Sequence, residues 1–325
     1  MKKNIAIIMG GYSSEYKISL KSGNVVYDYL NIEKYNLYRI HIFKNKWVYV
    51  DDVDNEIAID RNDFSIPLND GTSITFDCVF NAIHGSPGED GLMQAYFELL
   101  GIKHTSCDFY QAALTFNKRD LLSVLKPYGI KAAPSYYLNF GDDINESDII
   151  NKVKLPCFVK ANKSGSSYGV SKVYKAEELK GAIEIAYKED NEIIIEGFLE
   201  GTEVSVGVLK LNGKTTVFPI TEIVSENDFF DYEAKYQGKS QEITPARINA
   251  EQLKNVTIAS KKIYDILKMT GFSRSEFIFI GNEPFLLEMN TTPGLTTESI
   301  LPLQAQEAGI ELSMLFEYAI TEALS

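Results

Sequence analysis

The residues whose types and spacing point most directly to chemistry lie near the end of the chain. If residues 274–290 form a hairpin closed by the three-residue loop Gly281-Asn282-Glu283, Ile280 pairs with Pro284. Stepping outward then sets Glu276 opposite Glu288 and Arg274 opposite Asn290. Strand side chains alternate between faces, so all four project from one side. Two carboxylates and an amide oxygen make an oxygen-rich set suited to Mg²⁺, and like charges directly opposed repel unless a cation lies between them. A solvated polar face with the carboxylates held apart has the same pattern.

Other candidates are less specific. The segment 163–169, KSGSSYG, sits between two strand-like runs, and its glycines and hydroxyl residues let backbone N–H groups approach a phosphate. It lacks the Gly-Lys-Ser/Thr spacing of a Walker A loop, and a flexible surface turn fits as well. Gly10-Gly11 follows the first strand-like run without forming G-x-G-x-x-G, which gives a nicotinamide cofactor little support. His84 closes another such run, at the end that faces the ligand crevice in α/β units, although a hydrogen-bonded structural histidine reads the same. Lys118 and Lys160 could meet phosphate oxygens or simply be solvated. Lys235 and Tyr236 fall in a polar, weakly periodic stretch where a lid and an ordinary loop look alike.

The elements that must position these residues follow from periodicity. Residues 4–9 form a continuous apolar run, expected for a buried strand. Segment 19–30 is helix-like, 38–43 and 78–83 read as strands, and 92–100 is a helix stopped by Gly101. This order predicts a small α/β unit over 1–105. The middle, 106–195, carries one helical stretch near 110–126, then strand-like runs at 157–160 and 169–174. The last third, 196–325, alternates like an antiparallel sheet; 192–196, 203–209, 277–280 and 285–289 are rich in β-formers. One helix interrupts it, opened by an Asn249/Gln252 capping box and closed by Gly271. Residues 224–247 read as a long loop.

At 325 residues the chain is longer than one ordinary domain, so two or three domains sharing a cleft are expected. Its net charge of −13 disfavours non-specific nucleic-acid binding, and an anionic substrate would need a local cluster of cations. No apolar run approaches the roughly 20 residues that span a bilayer. The apolar stretch after Met1-Lys2-Lys3-Asn4 is too brief for a signal peptide, so a cytoplasmic location is expected. Cys78, Cys107 and Cys157 are odd in number and scattered, which suggests reduced, semi-buried thiols.

Six segments together resemble one family: GGYSSEYKISLKSG (10–23), HGSPGEDGLMQAYFELLGIKHTS (84–106), FVKANKSGSSYGVSKV (158–173), IIIEGFLEGTEVSVGVL (193–209), FFDYEAKY (229–236) and FLLEMNTTPGLTTESILP (285–302). They occur in family order from end to end, and the chain is identified by them as resembling the D-alanine–D-alanine ligases of the ATP-grasp superfamily. The resemblance implies an α/β fold, an ATP-grasp fold behind an N-terminal α/β domain. It implies ATP as substrate, two Mg²⁺ ions (Mn²⁺ serving as an alternative), D-alanine as the amino acid and a homodimer. With the net charge and the lack of a long apolar run, neither nucleic acid nor membrane is expected as a partner.

The same resemblance carries roles to matching positions. Glu15 would hold the first D-alanine's ammonium, in a triad with Ser166 and Tyr236 that closes a lid over 224–247. His84 would lie near the first substrate's carboxylate. Lys118, Lys160 and Lys235 would contact the phosphates, and Ser166 lies in the ATP-binding turn. Glu196, Phe198 and Leu199 would form the adenine-binding linker, with Glu203 on the ribose. Glu276, Glu288 and Asn290 would bind the metal. Arg274 and the Gly294 N–H would stabilise the tetrahedral oxyanion, and Ser299 would hold the second substrate's carboxylate. Glu276 stands where the family more often has Asp; Ala161 replaces a proline, and Ala95 and Ser106 replace common glycines. The rival readings are a ligase making D-alanyl-D-lactate or a mixed dipeptide, another ATP-grasp carboxylate–amine ligase, and a silent nucleotide-binding regulator. Tyr236 argues for an amine nucleophile, because depsipeptide-forming members often lack it.

Overall fold

The computed structural model describes residues 2–165, 168–225 and 240–325. Ser166, Lys235 and Tyr236 lie outside them, as does most of the expected loop at 224–247.

The N-terminal unit runs β1 (Lys3–Gly10), α1 (Tyr16–Tyr29), β2 (Tyr35–Ile42), β3 (Trp47–Val50), β4 (Glu56–Ala58), β5 (Ile66–Pro67), β6 (Ser73–Ile74), β7 (Cys78–Asn81), α2 (Leu92–Leu100) and β8 (Lys103–His104). Its main sheet has the order β4-β3-β2-β1-β7-β8, with β1 parallel to both neighbours. The unbroken apolar run of β1 has a direct cause. Ile5, Ile7 and Met9 enter one core, whereas Ala6 and Ile8 enter another on the opposite face. A central strand covered on both sides has no polar face to show. The short strands β3 to β6 escape periodicity because they are two to four residues long and β4 is exposed throughout.

The middle of the chain contains α3 (Phe109–Phe116), α4 (Lys118–Leu125), β9 (Ser135–Asn139), α5 (Glu146–Val153), β10 (Cys157–Ala161), β11 (Ser171–Val173), α6 (Leu179–Ala186) and β12 (Glu192–Gly197). The single helical stretch expected near 110–126 is two helices. Asn117 between them is extended, and its side chain caps α4 by accepting from Asp120 N–H. An antiparallel sheet of order β11-β10-β12-β9 follows. Helices α5 and α6 cover its outer face, while Ile194 on its inner face joins the core of the next sheet.

That next sheet comprises β13 (Thr202–Leu211), β14 (Lys214–Val217), β15 (Thr221–Ser225), β16 (Ser240–Ile243), β17 (Ser273–Ile280) and β18 (Glu283–Asn290). Its path is β16-β15-β13-β17-β18, with β14 on β13. Helix α7 (Ala250–Ile266) packs across it, and the Asn249/Gln252 capping box forms as its sequence predicts. The expected loop at 224–247 is too wide: its ends are strands, Ser225 pairing with Ser240. Finally α8 (Ile300–Glu307) and α9 (Leu312–Ala323) return to the N-terminal sheet, where Phe316 meets Phe80 edge-on at 5.6 Å. No helix of the described residues is long and apolar enough to cross a membrane. The three cysteines are free and fully buried, and burial pushes their thiols up to about 11–12.

Candidate functional site

The β17–β18 hairpin brings its carboxylates together by a route different from the expected one. Its turn is the two-residue Gly281-Asn282, so Ile280 pairs with Glu283 and Pro284 with Phe279. Continued outward, that register would set Leu287 against Glu276. A bulge at Leu287, where the ladder shifts between Phe277 and Glu276, restores Glu276 opposite Glu288 and Arg274 opposite Asn290. The turn is one residue shorter than expected and the bulge one residue longer, and the two cancel.

Around this hairpin lie two adjoining cavities. The larger, about 370 Å³, is lined by Glu15, His84, Arg274, Asn290, Gly294 and Ser299, among others. The smaller, about 110 Å³, lies between the two antiparallel sheets and is lined by Lys160, Glu196, Leu199, Glu203 and Glu276 among others. Lys118, Ser164, Gly165 and Glu288 border both. The described site residues therefore converge, with one exception. Phe198 lies outside the smaller cavity, its ring against Phe158 at 6.2 Å and the Lys172 ammonium 4.2 Å from its centre.

In the smaller cavity, Lys160 and Glu196 lie on paired strands two residues apart in register, hence on one face, and their charged ends meet at 2.8 Å. Burial, the largest single influence, would lower the lysine's pKa, but the carboxylates of Glu196, Glu288 and Glu203 together hold it above its ordinary value. Glu196 is itself buried, and its Oε1 has no hydrogen-bond partner among the described residues. A buried acceptor left unpaired costs free energy unless a ligand donor satisfies it. Lys118 reaches across the seam, donating to Ser164 O at 2.8 Å and lying 3.1 Å from Glu288.

In the larger cavity, the half-buried Arg274 donates through Nη1 to Ser205 Oγ at 3.0 Å and to Glu276 at 2.5 Å. Its surroundings oppose one another in the same way: burial lowers its pKa, and the carboxylates of Glu276, Glu288 and Glu242 together hold it above its ordinary value. The turn 163–165 closes on Glu15 so tightly that a Cβ at Gly165 would fall 2.7 Å from Glu15 Oε2. Gly294 and Ser299 are packed in the same manner, with 2.7 Å from an added Cβ to Ser299 Oγ.

His84 has a definite protonation state. Thr292 O, 2.8 Å from Nδ1, only accepts, so Nδ1 carries the proton. Burial pushes the imidazole below its usual value, which leaves Nε2 to accept from Ser22 Oγ at 3.0 Å. Ser22 Oγ in turn accepts from Leu295 N–H at 3.3 Å. With both ring nitrogens engaged, His84 braces the loop 292–295. It also lines the larger cavity, together with Glu15, Arg274 and Ser299. Glu89 completes the brace, accepting from Gly85 N–H at 2.7 Å and Thr292 N–H at 3.0 Å. Burial, and then the Glu15 charge, push Glu89 up to about 7. Neither Glu89 nor Ser22 stood out in the sequence; the position of Glu89 among the glycines of HGSPGEDG was the available signal. Among the described residues, no group of three or more His, Cys, Asp or Glu is placed to hold a metal, so the hairpin set stands at two carboxylates and one amide.

Known proteins share this arrangement. Residues 4–107 match the family model for the D-ala D-ala ligase N-terminus, and residues 124–321 match that for its C-terminus. A D-alanine–D-alanine ligase of Flavobacterium johnsoniae is 71% identical over 99% of this chain and 100% of its own length. Two solved structures superpose along the chain. A D-Ala:D-Ser ligase from Enterococcus faecalis has a TM-score of 0.86 at 30% identity, covering 99% of this chain and 100% of that one. A D-alanine–D-alanine ligase from Bacillus anthracis complexed with ATP has a TM-score of 0.80 at 28% identity, covering 99% and 97%. Two antiparallel sheets closing on a lysine- and glutamate-lined pocket, behind an α/β unit, thus define an ATP-grasp protein. Within that class, the chain belongs to the D-alanine–D-alanine ligase family.

Proposed function

We propose that this chain joins two D-alanine molecules at the expense of ATP. The carboxylate of the first attacks the γ-phosphorus, releasing ADP and leaving D-alanyl phosphate. The amine of the second then attacks the acyl carbon; the C–O bond to phosphate breaks, and the dipeptide and inorganic phosphate depart. The unpaired Oε1 of Glu196 carries this reading, because it is a buried acceptor suited to an exocyclic amine such as adenine's, in a pocket that also holds Lys160.

Lys118 and Lys160 would neutralise the phosphates, Leu199 would flank the base and Glu203 would meet the ribose. Glu276, Glu288 and Asn290 fit Mg²⁺ as oxygen donors, and the facing of two carboxylates by Arg274 and Lys118 shows how much negative charge the site must balance. A bound Mg²⁺ would screen the charge spread over the transferred phosphoryl group. Arg274 and the Gly294 N–H would donate to the tetrahedral oxyanion, each worth roughly 10²–10³ in rate. Ser299 would hold the second substrate's carboxylate and Glu15 the first substrate's ammonium. The roles of Ser166, Lys235 and Tyr236 rest on their motifs alone. We further take the chain as three units divided at about 105 and 195, each of which holds one of the large sheets. We take it to act as a cytoplasmic homodimer that supplies a peptidoglycan precursor.

Coupled measurement of ADP release tests the reading. D-Alanine should stimulate release and yield D-alanyl-D-alanine; L-alanine should not. D-Serine and D-lactate as second substrates separate the mixed-dipeptide and depsipeptide alternatives. Nucleotide binding without D-alanine-dependent phosphate release would leave only a regulator.

A further inference from the structure

Asn162 immediately follows β10 and is fully buried, yet it has no part in the chemistry above. Its side-chain amide is used completely. Oδ1 accepts from Arg119 N–H at 2.9 Å, and Nδ2 donates to Asn117 Oδ1 and to Glu192 Oε2, each at 2.8 Å. Its own N–H donates to Glu192 O at 3.0 Å. Asn117 caps α4 and Arg119 lies in the first turn of that helix, so one buried amide grips the residues on either side of Lys118. Two residues back along β10 stands Lys160. Asn162 is thus the connection between the helix that carries one of these lysines and the strand that carries the other, and Glu192 ties both to the start of β12.

We propose that Asn162 is a positioning residue that fixes the root of Lys118 against Lys160, so that the two ammonium groups meet the nucleotide phosphates from set places. The inference rests on Lys118 being a phosphate contact. A lysine reaches its target through a flexible four-carbon stem, so where its backbone is held decides how much freedom must be lost on binding. Asn is specifically suited to this place. Aspartate would keep the acceptor for Arg119 N–H but would turn a carboxylate toward Asn117 Oδ1 and Glu192 Oε2. Alanine would remove the acceptor for Arg119 N–H and both donors, leaving Asn117 Oδ1 to Asp120 N–H alone and Glu192 Oε2 to Lys163, so that nothing ties α4 to β10 at this point.

Steady-state kinetics on the full chain test it. For Asn162→Ala the expected result is a rise of about tenfold in KM for ATP, with KM for D-alanine changed by less than about twofold. If Asn162 acts through Lys118, the double variant Lys118→Met/Asn162→Ala should show no larger KM for ATP than Lys118→Met alone. Asn162→Ser, which keeps one donor and one acceptor, should show the same coupling at smaller amplitude and serves if the alanine variant does not fold. A lower Tm with KM for ATP unchanged would mark Asn162 as merely structural and overturn the proposal; so would additive effects in the double variant. An unchanged KM for ATP in Lys118→Met would instead remove the phosphate reading of Lys118 itself, and the proposal with it.

Discussion

Arg274 shows how a single residue can be made both charged and rigid inside a protein. The guanidinium is half-buried, which alone would be costly, and Glu276 at 2.5 Å with Ser205 at 3.0 Å fixes its plane. A donor held in this way reorganises little when negative charge develops in front of it, which is the condition for transition-state stabilisation. Arg274→Lys keeps the charge but loses the two in-plane N–H groups of Nη1 that serve Ser205 and Glu276, and with them the remaining guanidinium N–H groups that could face a substrate. Dipeptide synthesis in that variant is expected to fall by roughly 10²–10³ with ATP binding retained. A rate within a few-fold of the parent, measured at saturating substrates, would remove the oxyanion role. His84 makes the complementary point. Its two ring contacts show that a histidine lining a cavity can brace the loop behind it.

At the scale of elements, much was legible in the sequence and the remainder has physical reasons. The apolar run of β1, the helix ending at Gly101 and the Asn249 capping box depend on local pattern and appear as expected. The hairpin depends on a turn and a bulge together, and neither the two-residue Gly281-Asn282 loop nor the extra Leu287 has a composition that separates it from its alternatives. The break at Asn117 was hidden because the residue looks like an ordinary polar position in a helix; it caps α4 through Asp120 N–H, and the same oxygen accepts from Asn162, 45 residues away. Site residues that project into a cavity were found through motifs, whereas braces such as Ser22 and Glu89 owe their roles to distant partners. The loop before α8 yields a prediction of its own. Gly294 lies so close to Ser299 that a methyl group there must displace the hydroxyl, which is the end of a short, rotatable side chain. Gly294→Ala should therefore change Tm by only about 2 °C, since surface-like adjustments cost little. KM for D-alanine should nevertheless rise about tenfold, as expected for loss of one charge-assisted hydrogen bond. A large fall in Tm with unchanged KM would show that the contact is structural.

Across the whole molecule, the two cavities depend on different joints. The smaller cavity, where we place the nucleotide, lies between the two antiparallel sheets, which share a core through Ile194, Val204 and Phe277. The larger cavity needs the N-terminal unit as well, since Glu15, His84 and Glu89 come from it while Arg274, Gly294 and Ser299 do not. What holds that unit in place is a separate core in which Ile5, Ile7 and Phe80 pack with Leu295, Leu301 and Phe316. Phe316 is fully buried at this joint. Truncating it to alanine should cost about 3–5 kcal/mol, on the order of 10 °C in Tm. The kinetic consequence should be unequal. At a temperature where Phe316→Ala remains folded, a looser joint lets Glu15 and the His84 brace drift from loop 292–295, so KM for D-alanine rises. KM for ATP stays within about twofold, because that pocket shares no part of the weakened core. Parallel titrations of both substrates on the same preparation decide the matter: equal rises in the two constants would mean that the cavities are not mechanically separate.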